Sequence, residues 1–213
     1  MNKTKIGIGV TTTPNRKEYV DKWLNYFQKT KPENYHLHIH EDTHYKGVAY
    51  SKNQNLWTLR DCDYIFLFDD DCYPANFGWI EFFINSKYNH LLYLQPQHTL
   101  KYEVNDLQIF ENCGGVFMYL TKEVLNKVGY LNNEYGQYGY EHEGYSNRIF
   151  KSGLTTSPYQ QLKGTNLYLH SIDYSGVTHK SSVPDYKKAK LVEENRKIFL
   201  KEMLSNKIYY DFE

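Results

Sequence analysis

Tyr64-Ile65-Phe66-Leu67-Phe68-Asp69-Asp70-Asp71 is the stretch from which the rest of this chain can be read. Apolar residues run from Tyr64 to Phe68 without alternation, so both faces of a strand there are covered, as in the middle of a parallel sheet. Three carboxylates then end the strand at once. Acidic groups at the end of a buried strand are costly unless something compensates their charge.

Outward from this strand the pattern repeats. Ile6, Ile8 and Val10 alternate with small residues and stop at Thr11-Thr12-Thr13-Pro14, which reads as a first strand. Val20, Trp23, Leu24 and Phe27 share one helical face, and Pro32 and Asn34 close that helix. Leu37 and Ile39 give a second strand ending at Glu41-Asp42, and Gly47 opens a helical stretch, GVAYSKNQNLWTL. Strand, helix, strand, helix, strand is a doubly wound α/β start, in which ligands bind beyond the carboxyl ends of the strands. The polar clusters Thr11–Thr13, Asp42 and Asp69–Asp71 all fall there. Downstream, 91–94 and 116–120 read as strands and 121–128 as a short helix. The loop YLNNEYGQYGYEHE leads into a helix from Glu141 to Lys151 that stops at Gly153. Leu167 to Leu169 reads as a strand, and after Pro184 a charged helix carries Val192, Phe199 and Met203 on one face.

Composition sets the bounds. The chain has 213 residues, 40% hydrophobic and 23% charged, with 25 basic and 25 acidic side chains, so no global field steers it to nucleic acid or an anionic membrane. Cys62, Cys72 and Cys113 show no CxxC spacing, which fits a reduced setting better than a zinc knuckle. MNKTKIGIGV lacks the apolar run of a signal peptide or anchor, so a cytoplasmic protein with no membrane span is expected. The expected organisation is one catalytic domain over 1–180 with a helical extension over 181–213.

Several chemistries fit the aspartates. Oxygen ligands favour a hard divalent ion, manganese or magnesium, which can bridge a diphosphate and stabilise it as a leaving group. The same triplet can also be a solvated turn before Pro74, or carry the nucleophile of a haloacid-dehalogenase-like phosphatase, although that motif usually sits on the first strand. A second cluster, Glu141, His142 and Glu143, opens a predicted helix. Successive helical residues point apart, so only one of them can be aimed at a substrate hydroxyl. His142 or a carboxylate can take the proton, or the acids can simply favour the helix dipole. In that structural reading Arg148, two turns along the same face as Glu141, simply pairs with the acid cluster. Tyr135, Tyr138 and Tyr140 suit a sugar ring or a core edge, with Gly136 and Gly139 giving the loop freedom to move. His36, His38 and His40 share one strand face without a further ligand nearby, and Gly7-Ile8-Gly9 lacks the third glycine of a dinucleotide fingerprint. Lys187, Lys188 and Lys190 read as a solvated helix face, the best local basic patch of the chain.

Taken in order, these pieces resemble the GT-A glycosyltransferases, both family 2 and the β-1,4-galactosyltransferases of family 7. TTTPNR resembles the P-x-x-N-R nucleotide loop, and GVAYSKNQNL the G-x-A-x-A-R-N-x-G helix with Lys52 in place of Arg. FLFDDDCYP resembles the D-x-D motif. GGVFMYLTKEVLNKVGYLNNEYGQYGYEHEGYSNR resembles the galactosyltransferase stretch from G-G-V through W-G-W-G-G-E-D-D-D to N-R, and LYLHSID its M-I-R-H-S-R-D segment.

The resemblance implies a GT-A type, Rossmann-like mixed α/β sheet flanked by helices. It implies inverting transfer of a sugar from a nucleoside diphosphate sugar, with uridine as the base, to an acceptor hydroxyl. Saccharide, protein and modified DNA base are all compatible as acceptor. Thr11, Thr12, Thr13, Pro14, Arg16, Asp42, Lys52, Asn53, Asp69 and Asp70 would hold the nucleotide sugar. Tyr138 and Gly115 would face the sugar or acceptor. Asp71, Asp69 and His170 would bind manganese or magnesium, with His179 in reserve. Glu141 and His142 would carry catalysis. The chain departs from the family pattern at His142, where an aspartate is usual, and at Leu167, where a methionine ligand is usual. Binding of a nucleotide sugar without transfer is the competing expectation.

Overall fold

The computed structural model describes residues 4–172 and 183–213. Its centre is a five-stranded sheet built by β1 (Ile6–Thr12), β2 (His36–Glu41), β3 (Tyr64–Asp69), β5 (His90–Leu92) and β8 (Phe117–Thr121). The order is β2-β1-β3-β8-β5. β1 runs parallel to β2 and β3, whereas β8 runs antiparallel to β3 and β5, so the sheet is mixed about β3. Between the parallel strands lie α1 (Lys17–Thr30) and α2 (Val48–Leu59). α3 (Trp79–Asn85), α4 (Lys122–Val128) and α5 (Glu141–Lys151) complete the flanking layers.

The unbroken apolar run of β3 is explained by two cores. Phe66 and Phe68 join Ile8, Val10, Trp23, Phe27, Trp79 and Phe83 on one face. Ile65 and Leu67 join Leu56, Leu59, Met118, Val124 and Ile149 on the other. All four β3 side chains are fully buried, each contributing roughly 1.5–3 kcal/mol. Gly9 shows why the Gly7-Ile8-Gly9 stretch is glycine-rich. A Cβ there would lie 2.8 Å from both Asn55 Cβ and Leu67 Cδ2. The glycine lets α2 approach β1 closely enough for Asn55 Nδ2 to donate to Val10 O, while Asn55 Oδ1 meets His38 Nδ1.

Three departures from the sequence expectations stand out. The segment 167–169 is not one strand: α6 (Thr165–Tyr168) ends before β10 (Leu169–Ser171), which pairs antiparallel with β4 (Cys72–Pro74). A separate three-stranded sheet contains β6 (Leu100–Val104), β7 (Leu107–Phe110) and β9 (Gln160–Leu162), with β6 exposed along its length. Its hairpin turns at Asn105, which holds φ 52°. Third, Arg148 finds its partner elsewhere, on the last helix, α7 (Asp185–Leu204). Buried Arg148 of α5 pairs with Glu202 of α7 at 2.6 Å rather than with the acid cluster, and Tyr135 donates to the same Glu202 carboxylate. Arg148 also donates to the carbonyls of Val128, Tyr130 and Ile208. Buried Asn195 donates to the carbonyls of Tyr135, Tyr138 and Gly139. The expected domain boundary at 180 lies outside the described residues. No helix among the described residues is long and apolar enough to cross a membrane.

Gly9→Val should force α2 away from β1 and cost about 1–3 kcal/mol. Urea denaturation checks this, and an unchanged midpoint would show that α2 can shift without loss.

Candidate active site

The carboxyl ends of the parallel strands open into a cavity of about 330 Å³. Thr11 and Thr12 end β1 and Thr13 follows it, Asp42 follows β2, and Asp69 ends β3 with Asp70 and Asp71 just beyond; all line it. Tyr138 lines it from the loop before α5, and Lys187 and Lys188 from the first turns of α7.

Each aspartate has a defined partner. Lys52 Nζ lies 2.7 Å from Asp69 Oδ1, and the Thr11 hydroxyl lies 3.0 Å from the same oxygen. Arg16 reaches Asp70 through both Nε and Nη2, and its Nη2 also meets Asp71 Oδ2 at 2.6 Å. The Thr12 hydroxyl donates to Asp70 Oδ2. Burial would raise the pKa of Asp69, but Lys52, His142 and the hydrogen bonds from Lys52 and Thr11 hold it below the usual carboxylate range. For Asp70 burial outweighs Arg16 and Thr12, and its pKa is raised. Arg16 is held fully charged by its two carboxylates against the cost of its own burial.

Several expected nucleotide residues are thereby relocated. Lys52 is fully buried, does not line the cavity, and also donates to Gly115 O. It supports Asp69 from below. Asn53 is likewise fully buried. Its side chain donates to Leu131 O and Asn133 Oδ1 and accepts from Leu131 N, so it clamps α2 to the loop before α5. Pro14 does not line the cavity; it opens the 3-10 turn Pro14–Arg16 that carries Arg16 toward Asp70. Asp42 lines the cavity and accepts from Gly47 N at 2.7 Å.

Glu141 and His142 sit behind this floor. Both are buried, and His142 Nδ1 lies 2.9 Å from Glu141 Oε1. The imidazole occupies the space a side chain at Gly115 would need, since a Cβ there would fall 1.8–2.0 Å from three of its ring atoms. Gly115 is therefore the seat of His142 and does not line the cavity. His142 Nε2 and Glu141 Oε2 are buried without a hydrogen-bond partner among the described residues. Burial would raise the Glu141 pKa, but His142 brings it below its ordinary value. Glu143 behaves oppositely: burial and the neighbouring Glu141 push it up to about 7.

His170 is exposed on β10, opposite Tyr73 in register, with its ring 5.2 Å from the Tyr73 ring. It does not line the cavity. No three His, Cys, Asp or Glu side chains among the described residues gather closely enough to hold a metal ion, so Asp69, Asp71 and His170 are not a preformed triad. Asp69 and Asp71 both line the cavity, and hard divalent ions of the magnesium type are commonly held by one or two carboxylates together with substrate phosphates and water. His179 lies outside the described residues. Of the three loop tyrosines, Tyr138 lines the cavity, Tyr135 is buried against Glu202, and Tyr140 stacks on Phe199 of α7. Tyr45, Val48, Ser51, Gln137 and Val183 also line the cavity without any mark in the sequence pattern, and Lys187 and Lys188 reach it from a helix face that is otherwise solvated.

No protein-family model matches the chain. Over 147 residues it is 29% identical to an uncharacterised glycosyltransferase of Acanthamoeba polyphaga mimivirus, an alignment covering 62% of this chain and 57% of that protein. The chain thus matches little more than half the length of that relative. Among solved structures it is similar to the catalytic domain of Drosophila β1,4-galactosyltransferase 7 in complex with xylobiose. The TM-score is 0.60 at 15% identity, over 97% of this chain and 83% of that one. It is also similar to residues 1–349 of S. aureus TarS in complex with UDP-GlcNAc, with a TM-score of 0.50 at 12% identity, over 95% and 73% of the two chains. The fold is of the GT-A glycosyltransferase type. In this GT-A fold the cavity lies where an open α/β sheet places ligands, beyond the carboxyl ends of its parallel strands.

The raised Glu143 pKa gives a signed prediction. A folded-state value near 7 against an ordinary one near 4.5 means that the native state is favoured below about pH 4.5 and loses that advantage as pH rises through 7. Glu143→Gln should therefore become more stable than the parent between pH 5 and 8, by about 1–3 kcal/mol at the upper end. Paired urea curves at both pH values check this; a constant difference would mean that Glu143 ionises freely.

Proposed function

We propose that the protein transfers a sugar from a nucleoside diphosphate sugar, with uridine as the base, to an acceptor hydroxyl with inversion, in a reaction that depends on manganese or magnesium. The observation that carries this reading is the convergence of Thr11–Thr13, Asp42 and Asp69–Asp71 on one cavity, beside a buried carboxylate–imidazole pair. The glycosyltransferase name of the mimivirus relative and the GT-A fold support the reaction class, and the UDP-GlcNAc held by TarS supports the donor class.

Asp69 and Asp71 would hold the divalent ion, which when bound neutralises charge on the departing diphosphate. Thr11, Thr12, Thr13 and Asp42 would position the nucleoside, and Tyr138 would present an apolar ring face and a hydroxyl to the sugar. His142 would take the acceptor proton at Nε2, while Glu141 fixes the imidazole by its hydrogen bond to Nδ1 and stabilises the imidazolium that forms. A carboxylate second partner is the usual way a histidine base is oriented.

One observation favours the second reading, nucleotide-sugar binding without transfer: neither Glu141 nor His142 lines the cavity. The two readings separate in a screen of UDP- and GDP-sugars for manganese-dependent hydrolysis, paired with calorimetric titration of UDP. Transfer chemistry predicts turnover of one donor, abolished by chelator and by Asp71→Asn. His142→Ala should lower it by about 10²–10⁴-fold with UDP affinity retained. UDP binding without turnover of any donor, with or without added acceptors, supports the second reading.

A further inference from the structure

We propose that Lys187 and Lys188, at the start of α7, are the diphosphate-gripping residues of the cavity, an inference that rests on the nucleotide-sugar reading above. The first argument is charge. Four carboxylates line the cavity, those of Asp42, Asp69, Asp70 and Asp71. Arg16 also lines it, but its guanidinium is engaged by Asp70 and Asp71. Lys52, engaged by Asp69, lies beneath the lining. A diphosphate entering beside these carboxylates is favoured by cations that face it, in addition to a divalent ion held there. Among the described residues, Lys187 and Lys188 are the cations that line the cavity besides Arg16.

The second argument is delivery. α7 is fastened at three levels: Asn195 to three carbonyls of the Tyr138 loop, Phe199 against Tyr140, and Glu202 to buried Arg148 and Tyr135. Its first turns are thus held at the cavity by buried contacts farther along the same helix. The ammonium of Lys188 also stands 5.8 Å from the centre of the Tyr138 ring. The grip on the diphosphate and the ring offered to the sugar are therefore neighbours. The same helix shows the contrast: Lys190 is 80% exposed, faces Glu194 at 3.8 Å and does not line the cavity.

Calorimetric titration of UDP and of uridine, in one manganese-containing buffer, tests the assignment on the parent protein, Lys187→Ala, Lys188→Ala, the double variant and Lys190→Ala. Each single cavity variant should weaken UDP by about tenfold, as expected for a lost charge-assisted hydrogen bond. The double variant should lose more, uridine affinity should hold throughout, and Lys190→Ala should match the parent. UDP affinity of the double variant within about twofold of the parent would overturn the proposal. So would an equal loss for uridine, which marks a displaced helix, or an equal loss in Lys190→Ala, which marks bulk charge. A parent protein that binds neither UDP nor uridine would instead overturn the nucleotide reading beneath it.

Discussion

Three adjacent carboxylates at the end of a fully buried strand are the constraint around which the chain is organised. Asp69, Asp70 and Asp71 bring like charges together where water is scarce, and such charges persist only when paired. The chain supplies Arg16 from the turn after β1 and Lys52 from α2. These cations also order the surroundings. Arg16 ties the turn after β1 to the aspartates, and Lys52 links Asp69 to Gly115 O, against which His142 is seated. Removing one partner of such a buried pair typically costs 3–5 kcal/mol, because the other charge is left stranded.

This shifts the physical argument for the acidic strand end. The sequence raises the question of what compensates the charge, and a divalent ion is one answer. Protein cations already provide much of the compensation in this structure. An ion at Asp69 and Asp71 would share Asp71 with Arg16, whose Nη2 meets Asp71 Oδ2 at 2.6 Å. The pKa directions agree with this division: Asp69, facing Lys52, titrates low, whereas Asp70 remains raised despite Arg16.

Much of the fold is legible because it rests on periodicity. The covered strand at 64–68, the face shared by Trp23 and Phe27, and the helix ending before Gly153 all follow from local spacing. The hairpin β6–β7 was as readable, since L-K-Y-E-V and L-Q-I-F alternate about Asn105-Asp106, yet it lies away from the acidic cluster that drew the reading. The site was legible in its positions more than in its roles. The family resemblance singles out Lys52, Asn53 and Gly115 but does not reveal partners that are distant in sequence. Lys52 supports Asp69, Asn53 clamps Leu131, and Gly115 makes room for a ring. Tyr135 and Tyr138 look alike in the sequence; only burial by α7 separates a structural tyrosine from a cavity tyrosine.

The docking of α7 couples the cavity wall to the interior. Arg148 is buried in α5, and its carboxylate partner arrives only with Glu202, late in the chain. The three loop carbonyls that Asn195 meets have their partner on the same helix. The cavity wall that carries Lys187 and Lys188 and the neutralisation of a buried guanidinium therefore depend on one helix, so a change that loosens the interior contact also displaces the wall.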